Sequence, residues 1–113
     1  MHEMGITSGI LASAIDAAEA EGATKINSVT VSIGDLTEIV PDSLQFAWEA
    51  LTPGTMAEGG TLIVLSITPK ARCLQCGNEF EHDKYNLLCT ECESFLCEPI
   101  AGRELRIDSI DID

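Results

Sequence analysis

The sequence predicts an α+β fold in which a small sheet is covered by two helices and interrupted by a short cysteine-bearing lobe. Three observations carry that prediction. Apolar residues recur at helical spacing in two segments of the N-terminal half, they alternate or run together at strand spacing in three others, and two Cys-x-x-Cys pairs lie close together late in the chain. A chain of 113 residues has room for one self-sufficient core plus a small appendage, and none for a second large domain.

Over residues 7–21, Ile10, Leu11, Ala14, Ile15 and Ala18 recur at three- and four-residue steps, so one face of a helix is expected to be buried. Thr7 or Ser8 is placed to cap its start and Gly22 to end it. Over residues 26–33 the period changes to two, with Val29, Val31 and Ile33 on one face of a half-buried strand, until Gly34 and Asp35 break the pattern. Leu44, Ala47, Trp48 and Leu51 then mark a second helix that begins near Asp42 and stops before Pro53 and Gly54. Residues 61–68 are β-branched and leucine-rich on both faces, which predicts a strand central in its sheet and ended by Pro69.

Residues 72–100 lose the long apolar runs. Glu79, Glu81, Asp83, Glu91, Glu93 and Glu98 outnumber Arg72 and Lys84, and there is too little apolar material to fold without a metal. After Gly102, alternation returns at Leu105 and Ile107, slips at Ser109 and resumes at Ile110 and Ile112, which reads as a terminal strand with a bulge or bend near Ser109. If that strand rejoins the first sheet, residues 1–70 and 101–113 form one α+β domain and residues 71–100 a lobe inserted between its strands.

Nineteen acidic residues against six basic ones give a net charge of −13, which repels phosphate backbones and anionic membrane surfaces. Neither nucleic acid nor membrane is therefore an expected partner. No apolar run approaches the roughly 18 residues needed to span a bilayer, and the N-terminus has no basic flank before an apolar core. Cysteines at Cys-x-x-Cys spacing without a secretion signal point to reduced thiolates in a reducing cytoplasm.

Cys73-Leu74-Gln75-Cys76 and Cys89-Thr90-Glu91-Cys92 are separated by twelve residues. Each turn can aim two sulfurs at one centre, and four thiolates around one ion predict tetrahedral zinc, with an iron–sulfur site or two redox dithiols as the alternatives. A centre closed by four cysteines leaves no position for water or substrate, so this zinc is expected to be structural. Gly77 suits the turn that brings backbone amides toward the sulfurs. Cys97 reads as a small core residue rather than a substitute ligand, and His82 as a solvated hairpin histidine rather than a ligand.

The chain opens Met1-His2-Glu3-Met4. A histidine in that place is ordinarily an exposed residue on a frayed terminus. Its chemistry allows more, because the α-amino group, the His2 imidazole and the intervening backbone amides can wrap a square-planar ion, a geometry that suits nickel(II) or copper(II).

Taken together, these residues resemble the HypA/HybF family of hydrogenase nickel-incorporation proteins. The resemblance covers essentially the whole chain: Met1-His2-Glu3, the helix with Ile10, the strand ending Ile33-Gly34, and Pro41-Asp42-Ser43-Leu44 leading to Phe46 and Trp48. It continues through both cysteine pairs with Gly77 and ends in Gly102-Arg103-Glu104-Leu105 before an acidic strand. Thr90 departs from it, since the family commonly has proline after the first cysteine of the second pair. The resemblance implies a nickel-binding α+β lobe with an inserted zinc-ribbon lobe, in a cytoplasmic accessory protein that is not an enzyme. Nickel(II) would be its transferred cargo, held by the His2 imidazole, the Met1 amine and Glu3, with Asp42 approaching the ion or else capping the second helix. The implied partners are a nickel-handling GTPase of the hydrogenase maturation pathway and the hydrogenase large-subunit precursor. Monomer or homodimer, and a urease-related role, are left open. The competing reading is a zinc-ribbon docking module without specific nickel binding.

Overall fold

The computed structural model describes residues 3–83 and 86–113. Its elements run α1 (Glu3–Ala20), β1 (Ile26–Gly34), a one-turn 3-10 helix (Asp35–Thr37), α2 (Pro41–Leu51), β2 (Thr61–Ile67), β3 (Lys70–Cys73), β4 (Glu79–Glu81), β5 (Cys97–Ala101) and β6 (Leu105–Ile112). The strands form two three-stranded sheets, ordered β2-β1-β6 and β4-β3-β5. This is the mixed α+β architecture expected, and the terminal strand does return to lie beside β1. Two compact units result: Met1–Ser32, Ile39–Leu65 and Arg106–Asp113 in one, Ile33–Glu38 and Ser66–Leu105 in the other.

In the first unit, α1 buries Thr7, Ile10, Leu11, Ala14 and Ala18, the face its periodicity predicts. The helix starts a full turn earlier than residue 7, however. Thr7 does not cap it: its hydroxyl donates to the Glu3 carbonyl one turn back at 2.7 Å, which satisfies the hydroxyl inside the helix and lets it be fully buried. Gly22 ends the helix at φ 72, as expected of a left-handed C-terminal residue.

The second helix has Pro41 in its first turn and Val40 at the N-cap, with no side-chain cap bond. Asp42 therefore lies inside the first turn and does not cap, because the proline supplies the start that a capping side chain would otherwise favour. The α2 face of Leu44, Ala47 and Trp48 is buried. Trp48 Nε1 donates to the Gly60 carbonyl at 3.1 Å and Gln45 Nε2 to the Leu62 carbonyl at 2.7 Å, which ties α2 to the start of β2.

One strand sits differently from its sequence reading. β2 is at the edge of its sheet and β1 is central. Its apolar residues on both sides do not reflect two covered faces, since Ile63 and Leu65 remain 40% and 47% exposed while Leu62 is buried. β6 runs unbroken through Ser109, with Ile107, Ile110 and Ile112 half-buried.

In the second unit, the Gly34 N–H donates to the Glu104 carbonyl at 2.8 Å and the Leu36 N–H to the Gly102 carbonyl at 2.8 Å. The backbones meet so closely that a Cβ on Gly34 would fall 2.1 Å from the Gly102 carbonyl carbon. Gly102 itself adopts φ 118, and its amide donates to Glu104 Oε1 at 2.8 Å. Two sequence features 68 residues apart, Ile33-Gly34 and Gly102-Arg103-Glu104, are thus one structural device. Gly34→Ala is expected to destabilise the fold by about 3 kcal/mol, the upper range for overpacking, because the obstacle is backbone rather than a movable side chain. Urea unfolding of the variant checks this.

Candidate metal centre

The two cysteine pairs adopt the same local structure, and backbone hydrogen bonding explains why. The Cys73 N–H donates to the Asn78 carbonyl at 2.8 Å, and the Gly77 N–H returns to the Cys73 carbonyl at 2.9 Å. The second turn repeats this, with Cys89 N–H to Ser94 O at 3.0 Å and Glu93 N–H to Cys89 O at 3.0 Å. Each turn then points two amides at its first sulfur: Gln75 and Cys76 toward Cys73 Sγ at 3.4 and 3.5 Å, Glu91 and Cys92 toward Cys89 Sγ at 3.4 and 3.5 Å. The first cysteine of each pair is buried and the second exposed.

Closing such a turn requires a left-handed residue at its fifth position. Gly77 supplies it at φ 78, as its place in the sequence suggests, but its counterpart is Glu93 at φ 59. A residue with a Cβ costs roughly 1–2 kcal/mol in that region. Glu93→Gly is therefore expected to raise the denaturation midpoint of the metal-loaded protein, by up to about 1 kcal/mol once the extra freedom of the unfolded chain is deducted. Equal or lower stability would show that the turn gains something from the glutamate.

The four sulfurs lie within 4.8 Å of one another, with Cys73 Sγ 3.6 Å from Cys92 Sγ and Cys76 Sγ 3.5 Å from Cys89 Sγ. A zinc–sulfur bond of about 2.3 Å gives a tetrahedron of edge ~3.8 Å, so the donor set fits zinc with little adjustment. Its electrostatics fit too. The Cys92 amide, joined by the Glu91 amide, the Cys76 thiol and the Asn78 side chain, holds the Cys89 thiol down at about 6 against the opposing effect of burial. The amide of Cys76 similarly lowers Cys73, although burial opposes it. For Cys92 the Ser94 amide pulls downward, but Cys73, burial, Cys76 and Cys89 together push its thiol up to about 12. Cys76 is raised in the same way, its Asn78 amide outweighed by Cys89, burial and Cys73. Four acids crowded around one point cannot all ionise alone, and a dication at that point relieves the repulsion.

Thr90, where the resemblance leads to an expectation of proline, accepts a hydrogen bond from Asn78 Nδ2 at 2.9 Å; the same amide reaches Cys89 Sγ at 3.7 Å. A side-chain tie between the turns stands where proline would stiffen one of them. Cys97 is half-buried against the small cluster of Ala71, Cys73, Phe80 and Cys89. His82 is not the solvated residue its acidic neighbours suggest. Its ring lies 6.1 Å from that of Phe80, and its Nε2 is buried with no partner among the described residues, while Nδ1 is 2.6 Å from the Asp83 carbonyl. Packing on the aromatic ring prevailed over the polarity of Glu81 and Asp83. His82 does not join the cysteine cluster.

Of the nickel ligands expected at the N-terminus, Met1 and His2 lie outside the described residues. Glu3 and Asp42 occupy the first turns of α1 and α2, and the two helices pack together, so that both residues line one surface cavity of about 410 Å³ with Met4, Ser43, Phe46 and Ala47. Sequence spacing alone could not place these two residues on one cavity.

A family model described as hydrogenase/urease nickel incorporation, metallochaperone, hypA matches residues 1–112. The hydrogenase maturation factor HypA of Nostoc punctiforme is 42% identical over 113 residues, covering the whole of this chain and 96% of that protein. The hydrogenase maturation factor HypA of Chlorobium luteolum is 40% identical over 114 residues, covering the whole chain and 97% of that protein. The solution structure of the Ni metallochaperone HypA from Helicobacter pylori superposes with a TM-score of 0.68 at 23% identity, covering 99% of this chain and 97% of that one, which shows a shared fold. The chain belongs to the HypA family of hydrogenase and urease nickel-incorporation metallochaperones.

Proposed function

We propose that this protein receives one nickel(II) at its N-terminus and passes it on for assembly of a [NiFe]-hydrogenase, with Cys73, Cys76, Cys89 and Cys92 holding the structural zinc. The single observation that carries this reading is a nickel-incorporation family match that spans residues 1–112 and so takes in both His2 and the cysteine pairs. Nickel is the cargo and zinc the resident metal. The His2 imidazole, the Met1 amine and the Glu3 amide supply nitrogen donors, which suit a square-planar ion. The reading is supported by Glu3 and Asp42 lining one cavity, where their carboxylates would add negative charge near a bound cation, Asp42 as the weaker contact.

The protein works as a carrier and not as a catalyst, since the four-cysteine set leaves the zinc no open position for chemistry. As a maturation factor it acts with other members of its pathway. The partners that fit this reading are a nickel-handling GTPase and the hydrogenase large-subunit precursor, met in the cytoplasm. No helix among the described residues is long and apolar enough to cross a membrane. Nucleic acid does not fit, because Lys70 and Arg72, which could otherwise face phosphates, are paired with Glu79 and Glu98.

Complementation tests the proposal. In cells lacking their own family member, this chain should restore hydrogenase activity at low external nickel, and His2→Ala should not. Full maturation by His2→Ala would leave only a zinc-ribbon docking protein.

A further inference from the structure

Five cysteines accompany a centre that takes four sulfurs, and the fifth has a defined place. Cys97 opens β5 directly opposite Cys73 on β3. The Cys73 N–H turns away from β5 to the Asn78 carbonyl, whereas the next amide, that of Leu74, crosses to the Leu96 carbonyl at 2.7 Å. The Cys97 N–H closes a local turn on the Phe95 carbonyl rather than bonding Cys73. Cys73 and Cys97 therefore form a non-hydrogen-bonded antiparallel pair, in which Cα atoms sit about 4.5 Å apart and side chains on the shared face are closest. A disulfide spans Cα separations of about 4.4–6.8 Å. Cys76, Cys89 and Cys92 lie outside the strands, so Cys73 is the one ligand with a cysteine facing it across a ladder. Among the described residues, the Cys97 Sγ makes a long contact to the Ser94 carbonyl at 3.5 Å.

We infer that Cys73 and Cys97 are an oxidative modification site: a peroxide joins them as a cross-strand disulfide and thereby removes one sulfur from the zinc centre. The inference rests on the zinc reading given above. Cys97, the thiol outside the metal shell, gives up its proton as its sulfur attacks the peroxide; the O–O bond breaks, the departing hydroxide takes up that proton as water, and a sulfenic acid forms. The Cys73 sulfur then leaves the metal and attacks the sulfenyl sulfur. The S–S bond forms, the S–O bond breaks, and the departing hydroxide takes up a proton as water. Both sulfurs together lose two electrons, and one hydrogen peroxide becomes two waters. Cys76, Cys89 and Cys92 are left with an incomplete shell, from which zinc dissociates until a dithiol restores Cys73.

The test uses full-length zinc-loaded protein and equimolar hydrogen peroxide, with zinc release followed by a chromogenic chelator and disulfides mapped by mass spectrometry after non-reducing digestion. The expected result is a dominant Cys73–Cys97 cross-link whose formation tracks zinc release and is reversed by dithiothreitol plus zinc. Cys97→Ser and Cys97→Ala should each hold one zinc beforehand and release it about ten times more slowly, since only the slower oxidation of metal-bound sulfurs is left. Release at the wild-type rate by both variants, with disulfides confined to the four ligands, overturns the inference and leaves the zinc reading standing. A wild-type protein without zinc at the outset overturns both.

Discussion

Stripping zinc with a strong chelator, or replacing Cys89 with serine, is expected to unfold the ribbon lobe while α1 and the β2-β1-β6 sheet survive. The buried apolar cluster of this lobe is Ala71, Cys73, Phe80 and Cys89, with Leu87 and Cys97 partly buried beside it. Two of its four buried members, Cys73 and Cys89, belong to the four-cysteine cluster proposed to hold zinc. Burial of Phe80 supplies about 1.5–3 kcal/mol, and the exposed Lys70–Glu79 pair adds at most about 1 kcal/mol. Ordering some forty residues costs on the order of 1 kcal/mol each or more, which these contacts cannot offset. A four-thiolate zinc site contributes an apparent ~10–16 kcal/mol in comparable small modules and decides the balance. Hydrogen exchange reads the outcome directly. The amides of Gly77 and Glu93, which close the two turns, should lose protection entirely on metal removal, while those in the middle of α1 should not. Protected turn amides in protein shown to be metal-free would mean that the lobe folds alone and that its metal has another purpose.

His2→Ala is expected to weaken nickel(II) binding by at least about 100-fold and to leave the zinc content unchanged. Loss of a hydrogen bond to a metal ligand already costs 10- to 100-fold in affinity, so loss of an imidazole ligand should cost no less. Asp42→Ala should have a smaller effect, because a carboxylate in the first turn of α2 adds charge near the ion rather than a nitrogen donor. Nickel binding by wild type should also fall with acidification, as protons compete with the metal for the imidazole and the backbone amides. Calorimetric titration of the variants across pH 5.5–8 measures all three effects. A His2→Ala affinity equal to wild type would place the nickel elsewhere.

Legibility of the fold followed the range of the interactions involved. The two helices and the cysteine turns were readable because their patterns are local: three- and four-residue apolar steps in α1 and α2, and Cys-x-x-Cys followed by a left-handed residue. Where a residue's role depends on distant chain, local pattern misled or was silent. Thr7 has the composition of a cap yet is buried inside the helix by its bond to Glu3. β2 has the composition of a central strand but lies at an edge, since strand order is set by where β6 returns. Nothing around Gly34 announces that it faces Gly102, and only the folded backbone shows why neither position tolerates a side chain: a Cβ would strike Gly102 from the first and Pro69 and Leu36 from the second. The left-handed Glu93 was missed because glutamate gives no turn signal, although the offset of Gly77 from Cys73 would have located it. For the candidate sites, the four-cysteine cluster was fully written in the spacing, whereas the cavity that Glu3 and Asp42 both line required α1 to pack on α2.

The most direct test of the account is metal stoichiometry of the untagged protein with its native Met1, measured after equilibration with excess nickel(II) and removal of unbound ions. One zinc and one nickel per chain, with the nickel alone lost in His2→Ala, is the result the account predicts. One zinc with no nickel, or nickel retained in full by His2→Ala, would contradict it.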